Sequence, residues 1–198
     1  MAEHGHGGLH HDRAYFDGMY ERTLDPWGFE TEWYERRKFA LTVAALPKQR
    51  YRRCQEPGCA TGSLTEQLRV RCDEIVAYDF VPSVVRAATD RFADRDDVQV
   101  VEAEFPAYVP EGTGDLVVWS EVGYYLTDDG LDVALSNLER WLELDGHLVA
   151  VHYTDPTDYP RSGQEVSAAL DGVEFLRRLV TLVDERFELG IWQRIARR

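Results

Sequence analysis

A glycine-bearing turn, RRCQEPGCATGS, occupies residues 52–63 and has the composition of a loop that leads from a strand into a helix. Gly58 lets the backbone approach a ligand with no Cβ in between, and Gly62 lets the turn enter a helix that begins at Ser63. The free amides at the start of such a helix attract negatively charged groups. The pattern therefore predicts a nucleotide-like ligand at this turn.

One acidic residue that follows the turn in the sequence is expected to lie beside the ribose of such a ligand. Asp79 closes the second predicted strand, DEIVAYD. A carboxylate there accepts hydrogen bonds from both ribose hydroxyls, each contributing about 1.5 to 3 kcal/mol when charge-assisted. A dinucleotide is disfavoured, because the pattern Gly-x-Gly-x-x-Gly would need glycine where Ala60 and Ser63 stand. The turn and Asp79 together predict an adenosine-type ligand.

The elements that must position these residues alternate between strand and helix. Short runs rich in β-branched residues predict buried parallel strands at 73–79, 98–102, 115–121 and 147–153. A run at 52–56 precedes the turn, although Arg53 and Gln55 are unlike residues of a central strand. Helices are predicted at 63–71, 82–92 and 128–142. The alternation predicts a mostly parallel sheet with helices on both faces.

The two ends of the chain depart from this alternation. Residues 31–46 predict a helix with apolar groups at helical spacing, namely Trp33, Ala40, Val43 and Ala44. Residues 176–183 and 187–195 alternate as the strands of a terminal hairpin do. We therefore expect an α/β fold, with a doubly wound, mostly parallel seven-stranded sheet, a C-terminal antiparallel hairpin, an α/β/α sandwich and an N-terminal helical cap.

Length and composition predict one soluble domain. The 198 residues are 44% hydrophobic, and no apolar run approaches the roughly 18 residues of a membrane span. The N-terminus lacks the apolar segment of a secretory signal, so we expect a cytoplasmic protein. We expect residues 1–14 to be a flexible tail and residues 15–198 to be one domain, with the cap at 15–47 and a Rossmann-like core at 48–198.

Charge and cysteine usage exclude several classes of protein. The net charge is −14, from 36 acidic and 22 basic residues, which disfavours a nucleic-acid partner. Cys54, Cys59 and Cys72 form no Cys-x-x-Cys pair, so we predict neither a disulfide framework nor a metal site. The predicted tail contains four histidines among glycines, namely His4, His6, His10 and His11. We expect a mobile tail there and no metal site.

Three segments carry a family resemblance. The turn Glu56–Gly62, followed by Asp79 and then by Ser120-Glu121, resembles the signature of class I, Rossmann-like methyltransferases that depend on S-adenosylmethionine. More narrowly, DPWGFETEWYERRKFALTVAALP, EPGCATGSLTEQL and SEVGYYL are similar to the NodS-like N-methyltransferase family, named for a nodulation enzyme that acts on an amino sugar. The similarity runs from about Tyr15 to Tyr159. It implies S-adenosyl-L-methionine as cofactor and S-adenosyl-L-homocysteine as product.

The resemblance also implies roles for single positions in binding the cofactor. The turn would surround the methionine part through Glu56, Pro57, Gly58 and Gly62. Asp79 would hold the ribose, and the adenine would lie against Phe80, Glu104 and Phe105. The Ser120 carbonyl and Glu121 would lie near the amino group and the methyl group. Ala60 stands where the wider class commonly has a glycine, so backbone approach is more restricted there.

Several residues are expected on the acceptor side and in the cap. Glu121 would dock an ammonium group, and His152 is either the proton acceptor or a packed strand residue. Tyr124 and its neighbour Tyr125 would wall the acceptor pocket or join the core. The cap offers three residues to the carboxylate and apolar surface of the cofactor: Tyr15, Trp33 and Arg37. Residues 154–163, with two prolines and a glycine, predict a rim loop that shapes acceptor choice.

The expected function is methyl transfer to a small molecule. Aligning donor and acceptor can supply roughly 7 to 11 kcal/mol, so no covalent nucleophile is required. An amine acceptor follows from the family resemblance alone. An O-methyltransferase and a binding module without turnover remain alternatives. A nucleic-acid methyltransferase fits poorly, because residues 120–124, SEVGY, lack the Pro-Pro-aromatic element of enzymes that modify base amines.

Overall fold

Seven strands and six helices are formed by residues 13–197, which the computed structural model describes; only the backbone is described for residues 13 and 14. The strands are β1 Tyr51–Pro57, β2 Cys72–Asp79, β3 Val98–Glu102, β4 Gly114–Ser120, β5 Leu142–Tyr153, β6 Leu176–Val183 and β7 Phe187–Arg194. The helices are α1 Arg13–Tyr20, α2 Trp33–Ala45, α3 Ser63–Leu68, α4 Pro82–Arg91, α5 Asp128–Trp141 and α6 Gly163–Asp171.

The sheet has the order β3-β2-β1-β4-β5-β7-β6. The first five strands are parallel, whereas β7 is antiparallel to both β5 and β6. The predicted doubly wound sheet with a terminal antiparallel hairpin is confirmed. Because the strand order reverses between β1 and β4, the carboxyl ends of these two strands open the crevice where such sheets bind ligands.

The first strand is central in spite of its polar residues, because neighbours satisfy their side chains. Gln55 donates a hydrogen bond of 2.8 Å from Nε2 to the buried Tyr78 hydroxyl on β2. Arg53 donates one of 2.9 Å to Glu74, also on β2. Buried polar groups are tolerated when they are hydrogen-bonded in this way. Composition alone therefore does not predict that this segment is a central strand.

Local residues explain where several helices begin. The Thr127 side chain accepts the Gly130 amide hydrogen, which caps α5, and Ser162 with Glu165 forms a capping box at α6. Pro82 lies in the first turn of α4, as predicted. The main difference is at β5. This strand begins at Leu142, directly after α5, and not near residue 147.

The cap differs from expectation in two respects. The predicted tail, with its histidines, lies outside the described residues except for positions 13 and 14, which begin α1. In α2, the face expected to be apolar points outward, since Trp33 is 70% exposed and Ala40 and Ala44 are exposed. The buried face instead carries Glu35, Lys38, Phe39 and Thr42. The structure contains the predicted helix, Val43 is half-buried against the core, and charged residues occupy much of the buried side.

Two apolar clusters cover the two faces of the sheet. One includes Phe16 and Tyr20 of α1 together with residues of α4, α5 and α6. The other includes Phe39 of α2 and Leu64 and Leu68 of α3. Helices therefore pack on both sides of the strands, as an α/β/α sandwich requires. Among the described residues, no helix is long and apolar enough to cross a membrane.

Gly114→Ala tests the packing at the start of β4. A Cβ there would lie 2.7 Å from the Arg53 carbonyl oxygen and would clash with the Trp141 ring. We expect a loss of about 1 to 3 kcal/mol in the free energy of unfolding, measured in urea. The matched control is Gly18→Ala in α1, where a Cβ meets nothing within 4 Å. That change should be neutral or stabilising, and equal effects at both positions would contradict the packing argument.

Candidate active site

A cavity of about 480 Å³ opens at the carboxyl ends of β1 and β4 and lies beneath the cap. Pockets that bind small molecules and cofactors usually measure about 300 to 1,000 Å³. The glycine turn, the end of β2, the end of β4 and the buried face of α2 all contribute residues to its wall. The structure thus brings together, in one crevice, elements that are far apart in the sequence.

The turn adopts backbone conformations that favour glycine. Gly58 has φ +66°, and a Cβ there would lie 2.5 Å from Val122 Cγ1, so the position leaves no room for a side chain. Ala60 has φ +49° in spite of its Cβ, at a cost of order 1 kcal/mol. Gly62 has φ +82° and shapes the entry into α3, but it does not line the cavity.

Asp79 anchors the turn from the end of β2. Its Oδ2 accepts the Ala60 amide hydrogen at 3.1 Å, and its Oδ1 accepts that of Val81 at 3.0 Å. The residue is 7% exposed and lines the cavity. Asp79 therefore lies in the cavity wall beside the glycine turn.

Glu56 lies deeper in the same wall. Its Oε2 accepts a hydrogen bond of 2.7 Å from the Thr65 hydroxyl of α3. Burial raises the pKa of Glu56 to about 7, although the hydrogen bond from Thr65 lowers it. Glu56 lines the cavity, whereas the neighbouring Pro57 does not.

Aromatic side chains form the end of the cavity nearest Asp79. Phe80 and Phe105 line it as expected, and the Phe16 ring meets the Phe80 ring edge-on at 5.4 Å. Phe16 and Tyr20 of α1 also line the cavity and were not expected from the sequence. An apolar, aromatic pocket of this kind suits a planar base.

The end of β4 carries a buried ion cluster that reaches into the cap. Glu121 has φ +59°, and its Oε1 accepts a hydrogen bond of 2.5 Å from Lys38 Nζ of α2. Its Oε2 accepts the Tyr153 amide hydrogen at 3.0 Å. Lys38 Nζ also lies 2.9 Å from Glu35 Oε2, and the Lys38 side chain is only 2% exposed. Glu35, Lys38 and Glu121, here called the ion cluster, all line the cavity together with Ser120.

Charge pairing inside the cluster shifts the pKa of each member. Burial raises the pKa of Glu121, but Lys38, His152 and the hydrogen bonds from Lys38 and Tyr153 outweigh it, so the pKa is lowered. Burial lowers the pKa of Lys38, and both carboxylates outweigh it, so this pKa is raised. For Glu35, burial prevails over Lys38 and the pKa is raised. Lys38 and Glu121 therefore stay charged, and of the two carboxylates Glu35 has the stronger affinity for a proton.

His152 is placed beside the cavity and not in it. It is 1% exposed, its Nε2 accepts the Gly123 amide hydrogen at 3.0 Å, and its ring packs against Tyr124. Burial lowers the pKa of His152 to about 4, even though Glu121 raises it. Because Nε2 already accepts a hydrogen bond from the Gly123 N–H, His152 is placed as a packed strand residue and not as a proton acceptor. Tyr124 does line the cavity, and its ring stacks on Tyr159 at 4.9 Å.

Besides Pro57 and Gly62, four more residues expected to contact the cofactor lie outside the cavity wall. Trp33 is on the outer face of α2, and Arg37 pairs with Asp184 at 2.7 Å. Tyr15 is 39% exposed, whereas the next residue of α1 enters the cavity. Glu104 is half-buried between two residues that do line it. On α2, the positive charge inside the cavity comes from Lys38, one residue after Arg37.

The hairpin also contributes to the site, which the sequence did not indicate. Arg186, between β6 and β7, lines the cavity and donates a hydrogen bond of 2.7 Å to the Tyr153 hydroxyl. Its guanidinium lies over the rings of Tyr34 and Tyr153 at 5.2 and 5.1 Å. Thr157 and Tyr159 of the predicted rim loop line the cavity as well. Within residues 13–197, no three His, Cys, Asp or Glu side chains are grouped as a metal site.

The fold and the cavity at its switch point are those of the methyltransferase class, and comparisons with known proteins agree. The family model for nodulation protein S (NodS) matches residues 19–168. The chain therefore belongs to the NodS family, which confirms the expected family.

Individual relatives support this assignment. Nodulation protein S of Rhizobium tropici is 32% identical over 127 residues, which cover 63% of this chain and 53% of the relative, so the chain spans about half the length of that protein. A Pseudomonas syringae structure assigned as a methyltransferase is 40% identical, with a TM-score of 0.73 over 82% of this chain and 100% of the other. N-methyltransferase NodS from Bradyrhizobium japonicum WM9, solved with S-adenosyl-L-homocysteine, has the same fold at 24% identity, with a TM-score of 0.80 over 92% and 99% of the two chains.

His152→Gln tests the buried, neutral state of this histidine. Its pKa of about 4 in the folded protein lies below the ordinary value of 6.5, so between these pH values the unfolded chain binds a proton that the folded chain does not. The free energy of unfolding should therefore fall as pH drops from about 6.5 to 4, by on the order of 3 kcal/mol in total. Urea unfolding at several pH values should show a shallower fall for the variant. An unchanged slope would mean that His152 is already protonated when folded.

Proposed function

We propose that the protein transfers the methyl group of S-adenosyl-L-methionine to an amine of a small molecule. The acceptor would bind beside the ion cluster. The observation that carries this proposal is that Asp79 and the glycine turn line the same cavity as Glu121 and Glu35. Membership in the NodS family and the S-adenosyl-L-homocysteine bound in the related N-methyltransferase structure support the same cofactor.

The residues of the nucleoside side fit the cofactor. Gly58 lines the cavity without a side chain of its own, so its backbone borders the space that a ligand would occupy. Asp79 would accept hydrogen bonds from the ribose hydroxyls, and Phe80 and Phe105 offer apolar surface to the base. Ser120 and Glu121 line the same cavity, where they would meet the amino group of the methionine part.

The remaining residues align the acceptor and exclude water. The bound cofactor supplies a methyl group already activated by its positive sulfur. The cap lines the cavity with the apolar and aromatic side chains of Phe16, Tyr20 and Phe39 as well as with the charged side chains of Glu35 and Lys38. We propose that the cap (15–47) and core (48–198) act as one domain for this reason. Tyr124 would wall the acceptor side, with His152 positioning its ring from below.

The charge of the cavity favours an amine over a hydroxyl acceptor. The ion cluster contains two carboxylates and one ammonium, so its net charge is negative when all three groups are ionised. A buried excess of negative charge attracts a cationic group and gives no advantage to a neutral alcohol. An amino sugar or a related metabolite therefore suits this site.

The direct assay is mass spectrometry of amine and alcohol acceptors incubated with the donor. Gain of one methylene unit on alcohols only would contradict the proposal, and no gain on any acceptor would favour a binding module.

Asp79→Asn tests the nucleoside side without any acceptor. Removing the charge weakens the hydrogen bonds that the carboxylate would accept from the ribose, each contributing about 1.5 to 3 kcal/mol. We expect affinity for S-adenosyl-L-homocysteine to fall about 30-fold in calorimetry, which corresponds to about 2 kcal/mol. The control is Asp90→Asn on the exposed side of α4, which should bind normally. Equal affinity in the two variants would remove Asp79 from the ribose site.

A further inference from the structure

We infer that Glu35, on the cap helix, binds the ammonium group of the acceptor amine and takes its proton before methyl transfer. This inference rests on the proposed methyl transfer and names the residue that recognises the acceptor. Glu35 is 8% exposed and lines the cavity. Its Oε2 is buried and pairs with Lys38 Nζ at 2.9 Å, and among the contacts of residues 13–197 no other residue donates a hydrogen bond to this carboxylate.

The other groups that could take a proton are already engaged. Glu121 uses one oxygen for Lys38 and the other for the Tyr153 amide. His152 is buried behind Tyr124, and its Nε2 accepts a hydrogen bond from the Gly123 N–H. Glu35 pairs with Lys38 alone, whereas both oxygens of Glu121 accept hydrogen bonds. Glu35 is therefore the carboxylate of the ion cluster with fewer partners, and it lines the cavity.

The surroundings of Glu35 suit a cation. The charged groups that act on it are Lys38 on its own helix, Glu121 at the end of β4 and Asp25 in the turn before α2, and two of these three are negative. Tyr34 and Tyr153 line the same cavity and present aromatic rings, which attract ammonium groups. Arg186 adds a positive charge at the wall, but Asp155 pairs with it at 3.2 Å. The balance of charge around Glu35 favours a positively charged ligand.

Proton transfer to Glu35 gives the amine the lone pair that methylation needs. An amine with an ordinary pKa of about 8 is only about one-tenth neutral at pH 7. The ammonium N–H bond breaks and a carboxyl O–H bond forms on Glu35. The freed lone pair then attacks the methyl carbon, and the electrons of the broken carbon–sulfur bond remain on sulfur. The product carries the positive charge as a methylated ammonium, and Glu35 returns its proton to water after release. Burial raises the pKa of Glu35, which favours the first step.

Binding to the protein loaded with S-adenosyl-L-homocysteine tests the inference with matched probes. The pairs are D-glucosamine with D-glucose, and benzylamine with benzyl alcohol. At pH 7 we expect at least one amine to bind tenfold more tightly than its alcohol, and we expect Glu35→Gln to reduce this preference to below twofold. Glu35→Asp, which keeps the charge, should retain part of it. The exposed Glu21→Gln is the control for loss of one negative charge and should behave as the unmodified protein does.

A second readout is the pH profile of methyl transfer to the preferred amine. Glu35→Gln should be slowed at least tenfold at pH 7 and should approach the unmodified protein above pH 9, where the amine is neutral without help. Affinity for S-adenosyl-L-homocysteine should change by less than twofold in Glu35→Gln. The inference is overturned if neither amine is preferred over its alcohol, or if Glu35→Gln keeps the preference. Failure of the unmodified protein to bind S-adenosyl-L-homocysteine would instead defeat the proposed function.

Discussion

The burial of Lys38 is the constraint on which the site depends. A buried ammonium group costs several kcal/mol unless charged partners and hydrogen bonds compensate. Lys38 comes from the cap, whereas its closest partner, Glu121, lies 83 residues later at the end of β4. The cap can therefore close over the sheet only in the position that joins these two residues. Glu35, from the same helix as Lys38, completes the compensation and brings a second carboxylate into the cavity.

Two left-handed residues show how the core prepares the same cavity. The Ala60 N–H donates a hydrogen bond to the Asp79 carboxylate, and the Glu121 N–H donates one to the Val151 carbonyl. Each conformation costs of order 1 kcal/mol and persists because neighbouring strands fix it. The result is that one carboxylate faces the nucleoside side of the cavity and another faces the acceptor side. Strain at both positions agrees with a functional role for this edge of the sheet.

The cavity thus has two parts with different chemistry. The part near Asp79 combines an open backbone with aromatic rings, which suits a nucleoside. The part near the ion cluster combines carboxylates with tyrosine rings, which suits an amine. The terminal hairpin supports this second part, because Arg186 contacts both Tyr34 of the cap and Tyr153 of the core. Methyl transfer needs both parts in one enclosed space, and the cap encloses them.

The sequence by itself determined the sheet, the hairpin, the glycine turn and Asp79. These follow from local patterns, and the parallel topology then brings the carboxyl ends of β1, β2 and β4 to one edge. Only the tertiary structure decided which charged residues enter the cavity. On α2, Lys38 and Glu35 point inward and Arg37 does not. No local pattern distinguishes these residues, because a helix face that carries two charges is typically solvent-exposed. His152 likewise could be placed only by its distant partner, the Gly123 amide. Burial of a charged or polar group depends on what another part of the chain supplies, and that is a property of the folded protein.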